Sequence, residues 1–228
     1  MSLDSSQMAR LIDHTWLKPE ATGADMRKLC AEALEHHFWS VCVHGSRVAL
    51  AASLLEASDV KVAAVIGFPL GASDGDVKRF EAETAIDLGA QELDVVINIG
   101  RLKDGDDRAI LRELRDIVEA AEGVPVKVII ETCLLTDDEK RRACSLVIES
   151  GAQFVKTSTG FGSAGATLDD VRLLRSLVGP GFGVKASGGI RDAQTALAMV
   201  EAGASRLGTS AGVAILKGIP AAIGNGNY

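Results

Sequence analysis

Two lysines stand where covalent chemistry is feasible. Lys156 in FVKTSTGF and Lys185 in GVKASGGIR each close a short apolar run and are followed by a turn rich in small residues. An amine is a nucleophile for a carbonyl only when unprotonated, so a working lysine needs its pKa brought from ~10.4 towards roughly 7–8. Two ammonium groups placed together in a partly dry pocket do this, because they repel and because burial penalises charge. The plainer reading ties each lysine to a carboxylate as a structural ion pair. Asp94 in ELDVVINIG is the natural third member, either passing protons between the lysines and a substrate hydroxyl or serving as a counter-ion for Lys127 or Lys185.

Two glycine-bearing segments, Ser187-Gly188-Gly189-Ile190 and Gly208-Thr209-Ser210-Ala211-Gly212, each follow an apolar run and open a helical pattern. Backbone amides at such starts cradle phosphate, although either segment alone is also an ordinary turn. Other motifs fail. GFGSAG fits G-x-G-x-x-G but has Lys185, not an acid, about twenty positions on. GASDG and GTSAG fit the nucleophile-elbow pattern, yet all four histidines (His14, His36, His37 and His44) precede both serines, which excludes the hydrolase order. Those histidines show no metal-binding spacing, and His36-His37 reads as a helix end. No metal and no cofactor is expected.

The elements that must position these residues follow from periodicity. Strand patterns run over Leu11–Trp16, Ser40–Val43, Val60–Ile66, Glu92–Ile97, Val126–Ile130, Phe154–Thr157, Gly183–Ala186 and Arg206–Gly208. Helical patterns between them include Asp25–His36, Asp74–Leu88, Asp107–Ala121, Asp138–Ser150, Leu168–Leu177 and Asp192–Ala202. Eight alternations in 228 residues predict a (β/α)8 TIM barrel with a short N-terminal helix, with an open doubly wound sheet as the alternative. DLGAQELDVV, ESGAQFVKTS and EAGASRLGTS repeat one helix-to-strand joint, with Gly89, Gly151 and Gly203 at the left-handed position past each helix. Residues two apart on a strand share a face. Glu92 and Asp94, Lys127 and Glu131, Lys156, and Lys185 therefore take the parity opposite the aliphatic residues that pack under helices, and they are expected to converge inside the barrel.

The chain carries 24 Lys+Arg against 31 Asp+Glu, a net charge of −7, which argues against nucleic-acid binding through a basic surface. VAAVIGFPLGA is too short and too interrupted to span a bilayer, and the N-terminal stretch lacks a signal-peptide pattern. Four cysteines without a C-x-x-C pair read as free thiols in a reducing compartment. The expectation is a cytoplasmic protein with one domain over residues 1–223, no membrane and no nucleic-acid partner, and a flexible tail over 224–228 ending in Tyr228.

The segments IDHTWLKP, SVCVH, VIGFPLGA, ELDVVINIG, VKVIIET, FVKTSTGF, VKASGGIRD and LGTSAG, in this order, resemble the deoxyribose-phosphate aldolase family over nearly the whole chain. The resemblance implies a metal-free class I aldolase on a TIM barrel. Such an enzyme reversibly cleaves 2-deoxy-D-ribose 5-phosphate to acetaldehyde and D-glyceraldehyde 3-phosphate. It implies Lys156 as the Schiff-base lysine, Lys185 as the lysine that depresses its pKa and relays protons, and Asp94 as the acid/base. It further implies Gly160, Gly188, Gly189, Gly208 and Ser210 as the phosphate cradle, and Tyr228 as a proton relay. The partners expected are a phosphosugar and aldehydes, with the chain in a homo-oligomer, a dimer or a tetramer. Another Schiff-base aldolase of phosphosugars and a non-catalytic sugar-phosphate-binding protein are the competing readings. Three departures from the family pattern stand out: Ala211 replaces a second serine, Ala164 replaces a glycine, and His44-Gly45 replaces Asn-Pro. A hydroxyl restored by Ala211→Ser is expected to tighten phosphate binding.

Overall fold

Apolar β-branched residues on one strand parity need a helical cover, and each helix needs an apolar stripe to supply it. The computed structural model describes residues 3–220 and meets both needs with eight parallel strands closed into a barrel in chain order. The elements run α1 Ser5–Ala9, β1 Ile12–Thr15, α2 Gly23–His36, β2 Ser40–His44, α3 Val48–Leu55, β3 Lys61–Ile66, α4 Gly75–Asp87, β4 Glu92–Val96 and α5 Ile99–Asp104. They continue with α6 Asp107–Ala120, β5 Val126–Ile129, α7 Asp137–Glu149, β6 Phe154–Lys156, α8 Leu168–Val178, β7 Gly183–Ser187, α9 Ala193–Glu201, β8 Arg206–Thr209 and α10 Gly212–Lys217. Residues 224–228, and with them Tyr228, lie outside the described residues.

The strands are those the alternation predicts, shifted by at most one residue at their ends. Helices α3, α5 and α10 lie outside the helical patterns named from sequence. The α3 run VALAASLL is apolar on most faces, and α5 and α10 are six residues long, too short to show a period. Gly89 and Gly203 have φ of 103° and 115° at their joints, and a Cβ there would meet Ala52 and Arg175 at 2.8 and 2.7 Å. Only glycine fits both the backbone and the space.

The outer core lies between barrel and helices. Val62, Ala64, Leu93, Val95, Val126, Val128, Val155, Val184 and Leu207 bury their side chains against residues such as Ile110, Leu114 and Ile117 of α6. A one-residue slip would turn these side chains into the charged interior, so they fix the register. The interior holds a small apolar cluster, Leu17, Cys42, Ala63 and Val65, beside its charged groups. One buried ion pair sits outside the barrel: Lys78 of α4 donates to Glu113 (2.7 Å) and to the Val96 carbonyl at the end of β4 (2.9 Å). That pair ties β4, which carries Asp94, to two helices. No helix among the described residues is long and apolar enough to cross a membrane.

Candidate active site

The parallel register sets Asp94 beside Lys127 and Lys156 beside Lys185. All four side chains point inward and are almost fully buried. Asp94 is the hub: Oδ1 accepts from Lys127 Nζ (2.9 Å), and Oδ2 accepts from both Lys156 Nζ and Lys185 Nζ (2.7 Å each). Lys185 also donates to Asp13 of β1. Lys127 reaches Glu92 at 2.7 Å. Below them Arg206 of β8 donates to Asp13 (2.9 Å) and Glu92 (3.2 Å), and the Trp39 indole N–H donates to Glu92 (2.8 Å).

The lysines do not share one fate. Burial pushes the Lys156 amine below the ordinary lysine range; Asp94 opposes that and Lys185 reinforces it. Burial acts the same way on Lys185, but the two carboxylates Asp13 and Asp94 outweigh it and raise its pKa. Lys127 is likewise raised, with Asp94 the largest force against burial. Burial alone would raise Asp94, yet Lys127, Lys156 and Lys185 hold it well below the carboxylate range, so it is ionised. Cys42, 3.9 Å from Asp94, is pushed up to about 11 by burial and by that carboxylate, and stays a thiol at neutral pH. Lys156 is therefore the one amine of the three whose pKa the interior lowers.

Lys156 lines the inner end of a cavity of about 240 Å³ at the carboxyl ends of the strands. Its lining includes Gly160, Gly188, Gly189, Gly208 and Ser210, so every cradle residue expected from sequence borders the same space as Lys156. Gly188 and Gly189 are both left-handed, at φ of 84° and 81°. The amides of Gly160, Gly188, Gly189 and Ser210 have no acceptor among the described residues, which suits an anion. A Cβ on Gly208 would lie 3.1 Å from Lys185 Cε, so this glycine also leaves room for the lysine stem. Ala211 lines an adjoining cavity with His14 and Glu32 and not this one. A hydroxyl at position 211 would border that adjoining cavity, next to Ser210, which lines both.

Sequence reasoning turned Glu131 inward with Lys127 but assigned no role to it or to several other groups around the site. Glu131 follows β5 with φ of 52° and accepts from the Thr159 hydroxyl and from its amide at 3.2 Å, pinning the turn that carries Gly160. VKVIIET gave no hint of a left-handed glutamate. His44 donates from Nε2 to the Leu17 carbonyl (2.9 Å) and meets Phe68 edge-on, which in turn meets Phe161. The His-Gly departure thus builds an aromatic edge to the mouth. Asp13 and Arg206 went unassigned because IDHT and RLGT are too short for parity to declare itself.

Comparison with known proteins places the chain among aldolases. The profile of the DeoC/LacD family aldolase matches residues 7–219. A deoxyribose-phosphate aldolase of Geobacillus sp. is 55% identical over 98% of this chain and 99% of its own length. One from Thermococcus gammatolerans is 58% identical over 92% of this chain and 96% of its own. The solved structure of the Aeropyrum pernix deoxyribose phosphate aldolase, described as a unique tetramer, superposes with a TM-score of 0.87 at 40% identity, covering 93% of this chain and 90% of that one.

Proposed function

The chain belongs to the DeoC/LacD family of aldolases, and on that premise we propose that it is a class I aldolase that reversibly cleaves 2-deoxy-D-ribose 5-phosphate to acetaldehyde and D-glyceraldehyde 3-phosphate. The observation that carries the reading is Lys156: a buried amine held below its ordinary range, at the inner end of a cavity rimmed by free backbone amides. A protein that only bound sugar phosphates would have no use for such an amine.

The mechanism follows from the geometry. Neutral Lys156 Nζ adds to C1 of the open-chain aldehyde, and the carbinolamine takes up one proton from solvent and loses water to leave an iminium, a proton returned when the product iminium is hydrolysed. Acetaldehyde takes two carbons, so the bond that breaks is C2–C3. The C3-hydroxyl proton passes through water to Asp94, the carboxylate beside Lys156. The C2–C3 electron pair moves into the iminium, leaving an enamine, and C3 becomes the aldehyde carbon of glyceraldehyde 3-phosphate. Asp94 is a weak base because lysines surround it, so it passes its proton on instead of storing it. Protonation of the enamine carbon and addition of water release acetaldehyde and the free amine. Lys185, held cationic by Asp13 and Asp94, orients Asp94 and keeps Lys156 from regaining charge.

Reductive trapping tests the assignment. Borohydride with acetaldehyde should add one ethyl group, mapping to Lys156 by peptide mass. A label at Lys127 or Lys185 would overturn the nucleophile.

The same reading includes self-association, with the Aeropyrum relative as precedent. Support comes from α4 and its neighbourhood, where Val77, Phe80 and Leu88 are exposed along a largely apolar cavity. Phe80→Glu should lower the mass measured by sedimentation equilibrium; an unchanged mass would remove this face from the assembly.

A further inference from the structure

Seven ionisable side chains fill the barrel interior, and their charges do not cancel. Asp13, Glu92 and Asp94 supply three negative charges; Lys127, Lys156, Lys185 and Arg206 supply four positive ones. Cys42 stays neutral, β3 adds Ala63 and Val65 to the interior and carries Lys61 on the same parity at its partly exposed start, and the charged groups nearer the mouth are Lys18, Glu131 and Arg191, with His44 beside them. In a low-dielectric interior a surplus charge is relieved by releasing a proton. Arg206 cannot release one. Lys127 holds Glu92 and Asp94, and Lys185 holds Asp13 and Asp94, so each has two carboxylates. Lys156 has only Asp94 Oδ2, which it shares with Lys185.

Arg206 is locked in place and lies outside the cavity lining. Its guanidinium stacks over Trp39 (4.4 Å) and Phe154 (5.4 Å) while bonding Asp13 and Glu92. We propose that Arg206 is a positioning residue for Lys156: a permanent cation at the barrel floor that supplies the surplus charge and so makes Lys156 the group that gives up its proton, with Glu92 setting the opposite side of the balance. This inference rests on Lys156 being the imine lysine.

The test is the pH dependence of borohydride trapping of acetaldehyde, followed by intact mass on the full chain. Arg206→Met makes the interior neutral with Lys156 protonated, so the half-point for trapping should move up by on the order of one pH unit. Glu92→Gln keeps an acceptor for Trp39 and Arg206 but removes a negative charge, so the half-point should move down. The double variant restores the count and should return close to the parent. A structural disturbance would weaken trapping in both single variants and more so in the double. An unmoved half-point in Glu92→Gln, or a move in the same direction as Arg206→Met, overturns the proposal. Should Arg206→Met not fold, Glu92→Gln against the parent decides alone. A parent label at a lysine other than Lys156 overturns the proposed nucleophile and this inference together, whereas a Lys156 label with unmoved half-points overturns this inference only.

Discussion

Lys156→Met is expected to remove the aldol reaction while leaving the barrel at least as stable as the parent. Activity should fall by on the order of 10³-fold or more, because no other amine in the interior is free to form the imine. Stability behaves differently. The substitution keeps most of the aliphatic stem and deletes the cation that the interior holds least well, leaving three positive charges against three carboxylates. The pH dependence follows from the lowered pKa. Below the folded value of Lys156 the parent carries a buried ammonium that costs it stability, and above ~10.4 the amine is neutral in both folded and unfolded chains. The advantage of methionine should therefore be largest on the acid side and fade as pH rises. Thermal melts across pH 6–10 beside a turnover assay read both effects. Retained turnover, or a melting point several degrees below the parent, would contradict the assignment.

Asp94→Asn should damage both properties. It removes the carboxylate that accepts from three ammonium groups, leaving two carboxylates against four cations. Breaking a buried ion pair from one side costs about 3–5 kcal/mol. For a domain of this length each kcal/mol lowers Tm by about 2–4 °C, so a drop of roughly 6–20 °C is expected. Losing the proton carrier should cost about 10²- to 10⁴-fold in kcat. The stability loss has a sign that can be checked. Without Asp94 the folded pKa of Lys156 falls further and Lys127 and Lys185 each lose a carboxylate that raises theirs, so the penalty is full from the point where an unfolded Asp94 would be ionised, above about pH 5, and shrinks as the lysines deprotonate towards pH 10. A variant that melts like the parent would mean that Asp94 is not the hub.

Strand parity carried the reading from sequence a long way. Alternation in ELDVV and VVIN, and single lysines after aliphatic residues in FVK and GVK, turn Asp94, Lys156 and Lys185 to one side without any structure. Residues that act through short or irregular elements were not legible. Arg206 opens a four-residue strand, and Asp13 is followed by His14, which is also polar, so neither shows a clean alternation. Glu131 is legible as inward by its parity with Lys127, but its hold on Thr159 depends on a left-handed backbone that glutamate rarely adopts. Ala211 shows the limit of local reasoning: the segment borders the cavity through Gly208 and Ser210, yet its next side chain turns into a different one. Only the fold says which way the chain bends after Ser210.

Lys156 is almost fully buried where it lines the cavity, while Gly160, Gly189 and Ser210 line it from the exposed side. That depth order imposes a queue. In the direction of synthesis the two-carbon aldehyde has to reach Lys156 before a phosphorylated partner settles at the entrance, because the larger molecule then stands in the doorway. In the direction of cleavage the phosphorylated fragment leaves first, and the enamine waits behind it for its proton. High concentrations of glyceraldehyde 3-phosphate should accordingly slow the approach of acetaldehyde, a blockade that more acetaldehyde relieves. The placement of one lysine at the bottom of a glycine-rimmed well thus sets a timetable for traffic as well as a site for bond making.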